Sequence, residues 1–225
     1  MCLIVVQPKG SAPMGETEFR QAFECHSDGG GIMFAENGRL QIWKPFWKAG
    51  KFLRAYRQAL RVATGPIVLH FRYATHGAKN ALNTHPHPLA GGRVGVVHNG
   101  ILPVTGGDTK EVSDTVVWCR SVFDKEAPET LLSQAYEYSV RENYLVGSNK
   151  LVFLGGNGRV VIWGETGGWW NDGKWFSNRV HSWKAQAAQA ITLWDYEGWK
   201  PSKFSSGFGP VSYSWEKDET KREVL

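Results

Sequence analysis

Cysteine is scarce: three residues in 225, at Cys2, Cys25 and Cys119, with no paired spacing. That excludes a disulfide-stapled scaffold and fits a reducing, cytoplasmic setting. No apolar run nears the ~18 residues of a membrane-crossing helix. The opening "LIVV" is broken by "QPKG", too short for the core of a secretory signal. The formal charge is +5, but no run of five Lys or Arg occurs, which gives nucleic-acid binding little support. There is no internal repeat, no low-complexity linker, and no glycine-rich phosphate loop after a strand.

What remains is ordinary in bulk and uneven in detail. At 42% hydrophobic and 21% charged residues, the chain can bury a sizeable core in one domain. We expect that domain to run over 1–215, with a polar tail at 216–225. Eleven Trp are many, so several must lie in the core or line a cleft. Trp169, Trp170 and Trp175 in "GGWWNDGKWFSN" suit either core packing or a lid or partner surface.

The pattern predicts strands at "CLIVV", "IMFA", "LQIW", "GPIVLH", "RVGVV", "KLVFLG", "VVIWG" and "GKWFSN", with a further strand at "QAITLW". "ENGR" and "GNGR" read as hairpin turns. Helices are expected at "GETEFRQAFE" and "KFLRAYRQAL", the latter apolar at 52, 53, 56 and 60. Two more are expected at "SDTVVWCRSVF", capped by Ser113, and at "APETLLSQAYEYSVREN", opened by Pro128. Strands and helices come in blocks rather than strict alternation. The fold class is therefore α+β with mainly antiparallel sheets.

Four places bear chemistry, each with a plainer reading beside it. If the initiator Met is removed, Cys2 carries a thiol and a free α-amine, a nucleophile with its own base; otherwise it is a small residue in a first strand. Arg72, in "HFRYATHG", offers a fork for a carboxylate, with Thr75 and His76 nearby; alone it would suit a surface ion pair. Asn99 and the Gly100 N–H, in "HNG", form a donor pair fit for an oxyanion; Asn-Gly is also a favoured turn. Asp114 suits an ammonium, or the N-terminus of its own helix. Five of the seven histidines (His70, His76, His85, His87, His98) fall close together and raise zinc as a competing chemistry. Yet they lack carboxylate or cysteine partners at ligand spacing, and "HPHP" is stiff.

The order of these pieces resembles a known family. "MC", "HFRYATHG", "NTHPHP", "VVHNGI" and "SDT" are similar to the class II glutamine amidotransferase domain, above all to the glutaminase domain of glucosamine-phosphate synthases. The dense match covers 70–115 and the first five residues. The resemblance implies a four-layer αββα sandwich of the N-terminal-nucleophile hydrolase type. It further implies that Cys2 attacks the side-chain amide of L-glutamine, its α-amine shuttling the proton. Through a thioester this gives glutamate and ammonia. Arg72 would hold the substrate carboxylate, Asp114 its ammonium, and Asn99 with Gly100 the oxyanion. Thr75 and His76 would line the pocket. No cofactor and no metal is implied.

The chain also departs from the synthase pattern. Leu3 stands where Gly often follows the nucleophile, Tyr73 replaces a Trp, and "CHSDGGG" lacks the usual Arg-Gly. Nothing resembles a sugar isomerase or an "SGGxD" loop, so ammonia would pass to a separate enzyme or be released. Other readings are a related amidohydrolase for a γ-glutamyl-like amide, or a silent module binding a partner through its Trp-rich face.

Overall fold

The computed structural model describes residues 1–104, 110–144 and 149–179. Ten strands among them form two antiparallel sheets. The first holds β1 (Leu3–Gln7), β2 (Gly30–Glu36), β3 (Arg39–Phe46), β4 (Ile67–Phe71), β9 (Trp169–Asn171) and β10 (Lys174–Phe176), in the order β3-β2-β4-β1-β10-β9. The second holds β5 (His87–Leu89), β6 (Val94–Asn99), β7 (Lys150–Gly155) and β8 (Val160–Trp163), in that order.

Alternation along the strands sets the layers. On β1, Leu3 and Val5 face helices α1 (Glu16–Cys25) and α2 (Ala49–Val62). There Phe19 packs against Phe52 and Phe71 with ring centroids 4.9 and 5.1 Å apart. Ile4 and Val6 face the other way, against Val97, Val152 and Leu154 of the second sheet. That sheet's far side, with Val96, Phe153 and Trp163, is covered by α3 (Asp114–Ser121), α4 (Pro128–Leu131) and α5 (Gln134–Tyr144). Three apolar interfaces thus separate four layers, the αββα sandwich expected from the motifs.

Most expected elements form. Ser113 caps α3, its hydroxyl accepting from Val116 N–H. Asn37 and Gly38, both with positive φ, make the tight turn between β2 and β3. One expectation needs correction, and two strands were not foreseen. The helix opened by Pro128 is two, broken at Leu132 and Ser133, because Leu131 and Leu132 both turn into the core. "NTHPHP" contains a short strand, β5, whose Pro88 is tolerated because β5 is a sheet edge. "GGWWN" contributes β9, which pairs with β10. Trp175 lies wholly buried between the sheets, whereas Trp170 is 51% exposed. The strand expected at "QAITLW" and the tail at 216–225 lie outside the described residues.

Candidate active site

Strands β1, β4 and β6 bring their polar ends to one place. Leu3 pairs with Phe71, so Cys2 and Arg72 leave neighbouring strands side by side. Cys2, Arg72, Thr75, His76, Gly100 and Asp114 all line a single pocket. These six motif residues are therefore assembled, whereas the buried Asn99 is not among the residues lining the pocket.

The Cys2 thiol donates to Tyr73 O at 3.4 Å, and Tyr73 N–H approaches its Sγ at 3.4 Å. Burial pushes the thiol above its ordinary pKa, against the opposing pull of that N–H, the N-terminal charge and Arg72. Met1 is 61% exposed. Arg72 is almost fully buried; its Nη2 donates to His76 O and Gly77 O, both at 3.0 Å. Its Nη1 is enclosed without a protein partner. No carboxylate in the described residues pairs with this guanidinium directly, because Asp28 takes Lys79 at 2.6 Å and Ala74 N–H at 2.9 Å. Burial raises the Asp28 pKa, but those two partners outweigh it and hold the carboxyl below its usual range.

Asp114 is buried at the start of α3, where both plain and functional readings apply. Oδ2 accepts from Leu102 N–H and Oδ1 from Thr115 N–H, each at 2.7 Å. It therefore ties the stretch after "HNG" to the helix while facing the pocket. Gly100 has φ +148°, and a Cβ there would lie 2.1 Å from Asn149 Oδ1. That oxygen accepts from His98 Nε2 at 2.9 Å, so only glycine leaves the contact intact. The buried Asn99 amide has one end 2.9 Å from Ser177 Oγ and its oxygen unpartnered.

The histidines divide. His76, His85 and His98 line the pocket, and His98 is held between Asn149 and Thr115. His70, His85 and His87 pack ring against ring, tilted and edge-on, with centroids 4.2 and 4.6 Å apart, beside Lys44. Burial lowers all three, His70 to about 3. Among the described residues no group of three or more His, Cys, Asp or Glu is placed to hold a metal ion.

Four contributors escaped the sequence reading. Asn83 donates to Ala78 O and Glu111 O and accepts from Ser113 N–H, clamping the pocket walls together. Asp28 braces the loop after Arg72. Ser177 and Asn149 hold Asn99 and His98. Asn83, Asp28 and Ser177 stood inside the quoted "NTHPHP", "CHSDGGG" and "GKWFSN" without being assigned a role; Asn149 lay outside every quoted run.

The layers and the placement of a cysteine at the head of a central strand define an N-terminal-nucleophile type of fold. A solved glutamine phosphoribosylpyrophosphate amidotransferase from B. subtilis, complexed with ADP and GMP, matches it with a TM-score of 0.51 at 15% identity, over 80% of this chain and 42% of that one. In sequence, the chain is 34% identical over 113 residues to a glutamine–fructose-6-phosphate aminotransferase (isomerizing) of Corynebacterium efficiens, covering 49% of this chain and 18% of that protein. A protein of the same name from Aquifex aeolicus is 31% identical over 125 residues, 55% of this chain and 21% of its own length. No protein-family model matches. The chain thus spans about a fifth of the length of these curated relatives. The resemblance read from the motifs holds: over about half of its length the chain is similar in sequence to glutamine amidotransferases of class II. No helix among the described residues is long and apolar enough to cross a membrane.

Proposed function

We propose that the chain hydrolyses the side-chain amide of L-glutamine and releases ammonia to a separate acceptor enzyme in the cytoplasm. The observation that carries this reading is the buried Arg72 with a free Nη1, set in the same pocket as Cys2 and Asp114. A desolvated, half-used guanidinium is a partner for a carboxylate. A domain running over 1–215 belongs to the same proposal.

The chemistry follows from the surroundings of Cys2. Burial keeps its thiol protonated, so attack needs a base within reach. Removal of the exposed Met1 would give Cys2 an α-amine with an ordinary pKa of ~7.7–8, which can take the thiol proton. The sulfur then adds to the amide carbon. The new oxyanion is met by the Asn99 side chain and Gly100 N–H. The amine returns the proton to the leaving nitrogen, ammonia departs, and a thioester remains for water to cleave. Arg72 holds the carboxylate and Asp114 the ammonium, with Thr75 and His76 along the wall. The pocket now encloses about 20 Å³, the room of one water.

The test is intact mass before and after diazo-oxo-norleucine, a glutamine mimic that alkylates such nucleophiles. The reading expects loss of the Met mass and one adduct, on Cys2. A retained Met1, or a processed Cys2 left unmodified, would move the assignment to another amide or to a silent binding module.

A further inference from the structure

Ser177 follows β10 directly and is buried. Its N–H donates to Ile4 O at 3.0 Å, and its Oγ accepts from Ile4 N–H at 2.9 Å. Two bonds therefore fix it to β1, two residues past Cys2. The next residue continues the grip: Asn178 Nδ2 donates to Cys2 O at 2.6 Å. The same Ser177 Oγ lies 2.9 Å from one end of the Asn99 amide on β6. β1 and β6 belong to different sheets. A single hydroxyl thus joins the strand that carries the thiol to the strand that carries the oxyanion amide.

Hydrogen-bond accounting gives that hydroxyl a direction. If Asn99 Nδ2 donates to Ser177 Oγ, the hydroxyl oxygen accepts twice and Asn99 Oδ1 stays buried without a protein partner. The two ends of an amide are nearly interchangeable in shape, and a serine has one proton to give. With the amide turned end for end, Ser177 accepts from Ile4 and donates to Asn99 Oδ1. Every group on that side is then satisfied, and Nδ2 becomes the enclosed, unpartnered end. An enclosed donor without a partner is suited to an oxygen that becomes negative only during reaction.

We infer that Ser177 is a positioning residue: by donating to Asn99 Oδ1 it sets Nδ2 toward the oxyanion and keeps it in register with Cys2. This rests on the glutamine-hydrolysis reading above. Ser177 touches neither Arg72 nor Asp114, so its loss acts on kcat and not on glutamine binding.

The experiment is steady-state glutaminase kinetics on the processed protein, with Ser177→Ala, Asn99→Ala and the double variant. Ser177→Ala is expected to lower kcat at least ~10-fold, approaching the ~100-fold of losing an oxyanion donor. KM should stay within about twofold. Because Ser177 acts through Asn99, the double variant is expected to be no slower than Asn99→Ala alone. Ser177→Thr, which keeps the hydroxyl, should recover most of the loss. If Ser177→Ala does not fold, Ser177→Cys, similar in size and a weak donor, takes its place with the same expectation. An unchanged kcat, or losses that multiply in the double variant, overturns the inference alone. Absence of glutamine turnover in the unsubstituted protein overturns the underlying reading and this inference with it.

Discussion

The two ends of the sandwich differ in a way that volume does not reveal. The end opposite Cys2 has the larger cavity, about 430 Å³, lined by Gly38, Arg39, Arg93 and Gly156 among others. Its strands close in tight turns, such as Asn37-Gly38, and its two arginines are exposed. The Cys2 end encloses about 20 Å³, yet there the strands finish in buried polar groups, and Arg72 Nη1 and one end of the Asn99 amide lack protein partners. Unsatisfied polarity, held in place by packing, is what makes the Cys2 end the proposed place for a ligand. Empty space next to solvated arginines marks only a surface fold.

That contrast is broken or sharpened by substitution. Cys2→Ala has the largest expected effect: glutamine turnover falls to background, while circular dichroism and Tm stay close to the parent. Turnover that survived would remove the Cys2 end from the chemistry. Arg72→Ala comes next. Loss of a buried, charge-assisted partner is worth ~2–4 kcal/mol, so KM for glutamine should rise by roughly 30- to 1,000-fold. An unchanged KM would mean the guanidinium serves only the His76 and Gly77 carbonyls.

The third expectation concerns acid. His70, His85 and His87 are neutral in the fold with depressed pKa values, His70 at about 3, and return to about 6.5 on unfolding. The unfolded chain then binds more protons, so stability is intact above about pH 6.5 and is lost as pH falls below it. The slope is ~1.4 kcal/mol per pH unit for each histidine involved. Urea midpoints measured from pH 7.5 to 4.5 would show it, and a flat profile would contradict the buried cluster. Smallest is Arg39→Ala at the opposite end: kcat should not change and stability should stay within ~0.5 kcal/mol. A large loss of glutaminase activity there would unseat the contrast between the ends.

Much of the site was legible in the sequence, because its residues sit in short runs beside strand ends. "HFRYATHG" and "HNG" each place several lining residues within a few positions, and Ser113 announces its helix by cap chemistry. The supports were not legible. Asn178 reaches Cys2 across 176 residues, and Ser177 reaches Asn99 across 78. Such contacts leave no local periodicity or turn signal. The break at Leu132–Ser133 was hidden for a related reason: the apolar spacing runs through it, and only the core shows that both leucines turn inward. β5 and β9, at three residues each, are too short for alternation to register.

The placement of β1 has a practical consequence. Chain ends usually fray, yet this strand, beginning at the third residue, lies inside its sheet between β4 and β10, and all five of its residues are buried. The second residue is therefore held as firmly as a catalytic group in mid-chain. On the glutamine-hydrolysis proposal, a purification tag fused ahead of Cys2 would block the α-amine that serves as its base, so preparations intended for assay should leave the front of the chain bare.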